Sequence, residues 1–133
     1  MKLIKTLLVA NKLLLGLAIL WTLSIAFLCL VQLHNLPSFG VSEMDKYVHF
    51  TFHFVFTMLW SGYFFRIQKE LEIKTVLKVF ITSVAYGILI EFLQSAITIS
   101  RKGDVMDVLA NTTGATIAVI MLLCYAYFNK NKN

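Results

Sequence analysis

Charge is scarce in this chain: Asp, Glu, Lys and Arg make up 14% of its 133 residues, while 59% are hydrophobic and mean hydropathy is +0.77. Soluble domains carry about 25% charged and about 45–50% apolar residues, so the deficit excludes an ordinary soluble fold. Cysteine is also rare. Cys29 and Cys124 fall in different apolar runs near opposite membrane faces, which argues against a disulfide and for two small apolar fillers. The single proline, Pro37, lies near Gly40 and marks a turn region. No aromatic-interleaved basic patch is present, so the net charge of +5 does not point to nucleic acid. A basic excess in a membrane protein usually reflects orientation. There is no internal repeat or low-complexity tract, and the length suits one domain, residues 1–133.

What the chain does have is four apolar runs, at residues 13–31, 47–65, 79–99 and 108–128. Each approaches the roughly 20 residues that a helix needs to cross about 30 Å of hydrocarbon. The first run exceeds the roughly 7–15 residues of a secretory apolar region. It lacks a small-residue cleavage site, and Phe27 and Leu28 precede Cys29 where a lipoprotein signal wants a small residue, so it is expected to be retained. Nine Lys and Arg residues lie at the termini and in the second connection, against three (Lys46, Arg101 and Lys102) in the other connections. The asymmetry places both termini in the cytoplasm. The expected architecture is an all-α, four-helix, up-and-down transmembrane bundle, N-in and C-in, multi-pass in a bacterial cytoplasmic (inner) membrane. In the inner connection, Glu70 and Lys74 at i, i+4 suggest a solvated turn of helix.

The polar residues collect toward one membrane face. Asp45, His49 and His53 recur at i, i+4 at the start of the second run, along one helix face. Glu91, Gln94 and Thr98 share a face near the end of the third, with Gly87 and Ser83 extending it inward. Asp107 and Asn111 stand one turn apart at the start of the fourth, followed by Gly114 and Ala118. With alternating helix directions all of these lie in the outer half of the bilayer. A charge at mid-helix costs roughly 2.5–3.5 kcal/mol on insertion scales, so such residues face the interior and pair. Glu91 is therefore expected to face a polar pocket shared with the second and fourth helices.

Helix glue is the plainer role for Gln94, Asn111 and Thr98, because interhelical hydrogen bonds are common in membranes. Gly87, Gly114, Ala115 and Ala118 suit close packing, and Tyr47, Trp60, Tyr63 and Tyr125 suit interface or packing roles. His34 belongs to no motif, and Lys46 could serve as a headgroup anchor. Glue does not account as well for Glu91 with Asp45, His49, Arg101 and Asp107, where cheaper residues would serve.

Three ordered blocks complete the pattern: Asp45-Lys46-x2-His49, Glu91-x2-Gln94, and Arg101-x5-Asp107-x3-Asn111-x2-Gly114. Together they resemble the VanZ-like family of small membrane proteins, over a core of residues 45–118. The family usually carries tyrosine where this chain has His53, and a proline shortly before the arginine where it has "ITIS". The second departure implies a differently shaped third loop. The family takes its name from a protein associated with resistance to glycopeptides, teicoplanin in particular, so the resemblance implies an envelope protein more firmly than a reaction.

Three functions follow from the residues. The first is binding of a membrane lipid headgroup or lipid-linked cell-wall precursor, with Lys46, Arg101 and Lys102 attracting an anionic group. Asp45, His49, His53, Glu91, Gln94, Asp107 and Asn111 complete that ligand set. The second is an enzyme on such a lipid, with candidates His49 as base held by Asp45, Glu91 as acid, and Asp107. The third is a small proton-coupled transporter, for which the inner half offers only Ser83 and Thr82 and which dimerisation could complete. Histidines at i, i+4 are a weak metal signal, so no metal and no cofactor are expected.

Overall fold

Backbone groups in hydrocarbon must be paired within the chain, so apolar runs of this length fold as helices. A computed structural model describes residues 2–31, 44–97 and 104–130, and nearly all of these are helical. The helices are α1 (Lys2–Leu30), α2 (Met44–Gln68), α3 (Ile73–Ile97) and α4 (Val105–Lys130). His34, Pro37, Gly40, Thr98, Arg101 and Lys102 lie outside the described residues.

The direction of each helix follows from its partners. Gln94 near the end of α3 donates to the Cys29 carbonyl near the end of α1, at 2.8 Å. At the opposite end Arg66 of α2 donates to Asn11 of α1 at 3.2 Å. The start of α2 meets the start of α4 through His49 and Asn111. The bundle is therefore up-and-down. Within it α2 and α3 each touch all the other helices, whereas α1 and α4 are not in contact among the described residues.

Three helices hold stretches long and apolar enough to cross a membrane: Val9–Leu30, Ile73–Ile97 and Val105–Asn129. The sequence suggested four such spans. α2 falls short by composition because His49 and His53 dilute the apolar residues of its uncharged stretch, 47–65. Its polar side chains are spent inward, since His49, His53, Thr57 and Ser61 are all buried.

The packing is inverted relative to a soluble bundle. Among the described residues nine apolar side chains are buried, and nine polar or charged ones are buried with them. Large apolar side chains instead stand outward, including Leu20, Leu23 and Phe27 of α1, Ile81 and Phe92 of α3, and Ile120 of α4. An exterior of this kind suits lipid, where association rests on packing and interhelical hydrogen bonds. Ile25, Cys29, Phe56 and Ile90 form the apolar core, with Trp21, Phe52, Trp60 and Tyr86 packed around it. The aromatic N–H and O–H groups tie α1 down. Trp21 donates to the Phe52 carbonyl at 3.0 Å, Tyr86 to the Thr22 carbonyl at 2.6 Å, and Trp60 to the Thr22 hydroxyl at 3.1 Å.

The link between α2 and α3 corrects one expectation. α2 stops at Gln68, and Lys69 takes a left-handed conformation at φ 62°, a common way to end a helix. α3 then begins at Ile73, so Glu70 and Lys74 are not partners on one helical turn. Lys74 and Lys78 belong to the first turns of α3. Long basic side chains near a helix end can keep their charge at the interface while the stem stays apolar, and this lets the helix start before the purely apolar run does.

Candidate functional site

The starts of α2 and α4 and the end of α3 meet at one end of the bundle, and most of the unusual polar residues meet there with them. Two close approaches make this possible. A methyl group at Gly114 would run into the backbone carbonyl oxygen of Phe50, so α2 and α4 touch backbone to backbone at that point. A methyl at Gly87 would stand 2.8 Å from Asn111 Nδ2 and 3.1 Å from His53 Cε1. The bare α3 backbone there leaves room for both side chains.

His49 occupies the centre. Its Nδ1 lies 3.2 Å from Asn111 Oδ1 and 3.6 Å from Glu91 Oε1. Its Nε2 lies 3.8 Å from Asp107 Oδ2 and 4.0 Å from Asp45 Oδ1. His49, Glu91, Asp107 and Asn111 are all buried, at 2%, 5%, 7% and 1% exposure, while Asp45 is exposed and Lys46 half-buried. The cluster is thus a packed polar core with Asp45 at its exposed edge.

Glu91 divides its two oxygens. Oε2 accepts the Asp104 backbone N–H at 3.0 Å, and Oε1 has no hydrogen-bond partner among the described residues and looks toward His49. Asp104 opens α4, where its own carboxylate accepts the Met106 N–H at 2.9 Å. Acidic groups gather where two helix N-termini supply partial positive charge, with Asp45 in the first turn of α2 and Asp107 in that of α4. Asp104 is a residue that sequence reasoning missed. Its signal was its position as an Asp just ahead of an apolar helix, a favoured cap.

Two residues expected in the same group are directed elsewhere. His53 sits one turn deeper, with Nδ1 2.9 Å from the Ser83 hydroxyl and its ring near Phe56 and Tyr86. The Gln94 amide nitrogen is used on the Cys29 carbonyl of α1. Arg101 and Lys102 lie outside the described residues.

Thr57 and Ser61 are the other residues that sequence reasoning passed over. They extend the i, i+4 file of Asp45, His49 and His53 inward, are buried, and hold hydroxyl oxygens with no hydrogen-bond partner among the described residues. Thr82, expected as an inner stepping stone, is exposed and bonds the Lys78 carbonyl of its own helix. The signal for Thr57 and Ser61 was the unbroken four-residue spacing.

A cavity of about 560 Å³ lies apart from this cluster, between α1, α2 and α3 toward the other end. Phe56, Trp60, Phe64, Tyr86, Thr75 and Lys78 are among its lining residues.

The chain matches no curated protein and no solved structure. A family model, VanZ/LLP1, matches residues 6–127, which takes in α2, α3, most of α1 and α4, and every described residue of the cluster. On that match, and with the helical bundle above, the chain belongs to the VanZ/LLP1 family.

Proposed function

We propose that this chain is a multi-pass protein of a bacterial cytoplasmic membrane, with both termini inside, that binds an anionic lipid headgroup or lipid-linked cell-wall precursor at its outer end. The carrying observation is the convergence of His49, Glu91, Asp107 and Asn111 from three helices, with the exposed Asp45 beside them. Ionisable side chains are expensive in a membrane-spanning bundle, and packing alone would be served by cheaper residues. Lys46, together with Arg101 and Lys102 in the connection between α3 and α4, would draw an anionic group toward the cluster. Protection from glycopeptides such as teicoplanin is the setting in which such binding would matter to a cell.

The test is lipid mass spectrometry on protein purified gently from its own membrane. Wild-type protein is expected to retain an anionic lipid that the pair of variants Lys46→Ala and Arg101→Ala retains at least tenfold less. Identical lipid profiles in well-expressed wild type and variants would sink the reading.

A further inference from the structure

We infer that Asp45, His49 and Asp107 form a site for one divalent metal ion of the zinc–manganese class. Each offers one ligand atom, and the three atoms lie within 4.8 Å of one another. Two helices supply them, α2 through Asp45 and His49 and α4 through Asp107.

His49 is set up as a ligand on one side of its ring. Nδ1 stands 3.2 Å from Asn111 Oδ1, an acceptor, which suits the tautomer that keeps Nε2 for a metal ion. Nε2 faces the carboxylates of Asp107 at 3.8 Å and Asp45 at 4.0 Å, gaps too long for hydrogen bonds. A shared cation would bridge them. With bonds of about 2.0–2.2 Å, two ligand atoms on one metal stand about 3.4 Å apart at a tetrahedral angle and further apart at wider ones. The two gaps from Nε2 are therefore of the size a metal ion fills.

Glu91 supplies an independent argument. Its Oε1 is buried, lacks a hydrogen-bond partner among the described residues, and lies 3.6 Å from Nδ1, behind the ring as seen from the proposed ion. Metal-bound histidines nearly always carry a carboxylate, carbonyl or water on the second nitrogen, which fixes the ring and raises its basicity. Glu91 and Asn111 occupy that position here. Asp45, Glu91 and Asp107 bring three carboxyl groups around the one imidazole. One imidazole nitrogen with carboxylate oxygens suits zinc or manganese better than calcium, which takes 6–8 oxygen ligands. His53 is not part of the site, since it is bound to Ser83 one turn deeper.

The site does not depend on the lipid reading, because the metal alone is the probe. Full-length, tag-free protein in mild detergent would be stripped with chelator, re-equilibrated with Zn²⁺ or Mn²⁺, and desalted before elemental analysis. One equivalent per chain is expected, and Co²⁺ should give the visible absorption of nitrogen and oxygen ligation. Asp45→Asn, at an exposed position, should keep wild-type circular dichroism and elution volume yet bind at least tenfold more weakly. His49→Ala should lose the ion, and Glu91→Gln, behind the histidine, should weaken it about 10–100-fold. Glu72→Gln, at the opposite end, is the control expected to bind as wild type. Substoichiometric metal in wild type, or a full equivalent that survives both Asp45→Asn and His49→Ala, overturns the site. Lipid measured on the same preparations fails or holds on its own.

Discussion

Glu91 shows how one intramembrane acid can hold two positions at once. Oε2 anchors the start of α4 through the Asp104 N–H, and Oε1 faces His49. Substitutions can separate the two roles. Glu91→Gln keeps a carbonyl oxygen for the Asp104 N–H, so its stability is expected within about 1 kcal/mol of wild type. Glu91→Ala removes the acceptor and leaves space behind His49, and a loss of about 1–3 kcal/mol is expected. Chemical unfolding in detergent measures both; equal losses would show that the α4 anchor contributes little. The meeting of His49, Glu91, Asp107 and Asn111 was legible in the sequence, because helix periodicity fixes a face and alternating directions fix an end. The destination of His53 was not: it lies on the right face, but the Ser83 hydroxyl captures it. Gln94 makes the interhelical bond that its plainer role called for, to the Cys29 carbonyl, though the choice of α1 as partner could not be read from its spacing.

At the scale of the helix, glycine positions decide how closely elements approach. Gly114 is the point where the backbones of α2 and α4 meet, so Gly114→Ala must push the helices apart. Overpacking typically costs about 1–3 kcal/mol, and a backbone obstacle relaxes less readily than a side chain. Gly16 in α1 is the contrast, since a methyl there would meet nothing within 4 Å. Gly16→Ala is expected to be neutral or to stabilise by about 0.5–1 kcal/mol, because alanine has less backbone freedom to lose. Thermal denaturation of the two variants side by side gives the comparison, and a neutral Gly114→Ala would contradict the contact. The helices were legible as apolar runs. The early start of α3 at Ile73 was not, because Lys74 and Lys78 read as loop residues until their stems are placed along the helix. Thr57 and Ser61 escaped notice for a related reason: a hydroxyl barely lowers the apolarity of a run, yet it can be buried on the same face as two histidines.

For the whole molecule, the open physical issue is how α2 sits in the membrane. It is less apolar than its neighbours, yet the 25 residues of Met44–Gln68 give it a length of about 37 Å, enough to cross hydrocarbon. Its neighbours cover its polar face, since His49, His53, Thr57 and Ser61 are buried against them. A helix so shielded can cross lipid despite its composition, because insertion cost falls on groups that remain exposed or unpaired. In the orientation proposed above from the nine-to-three distribution of Lys and Arg, the Lys69–Glu72 link and both termini would face the cytoplasm. Single cysteines in a Cys29→Ser, Cys124→Ser background can read this out in intact cells. Ser42→Cys, just before α2, should react with a membrane-impermeant maleimide from outside. Glu70→Cys and Lys132→Cys should react only after the membrane is opened. Labelling of positions 42 and 70 from the same side would mean that α2 does not cross, and the polar cluster would then lack an outer leaflet to face. Reversed labelling of all three would keep the bundle but move the cluster to the cytoplasmic surface, where a cell-wall precursor bound from outside could no longer be its ligand.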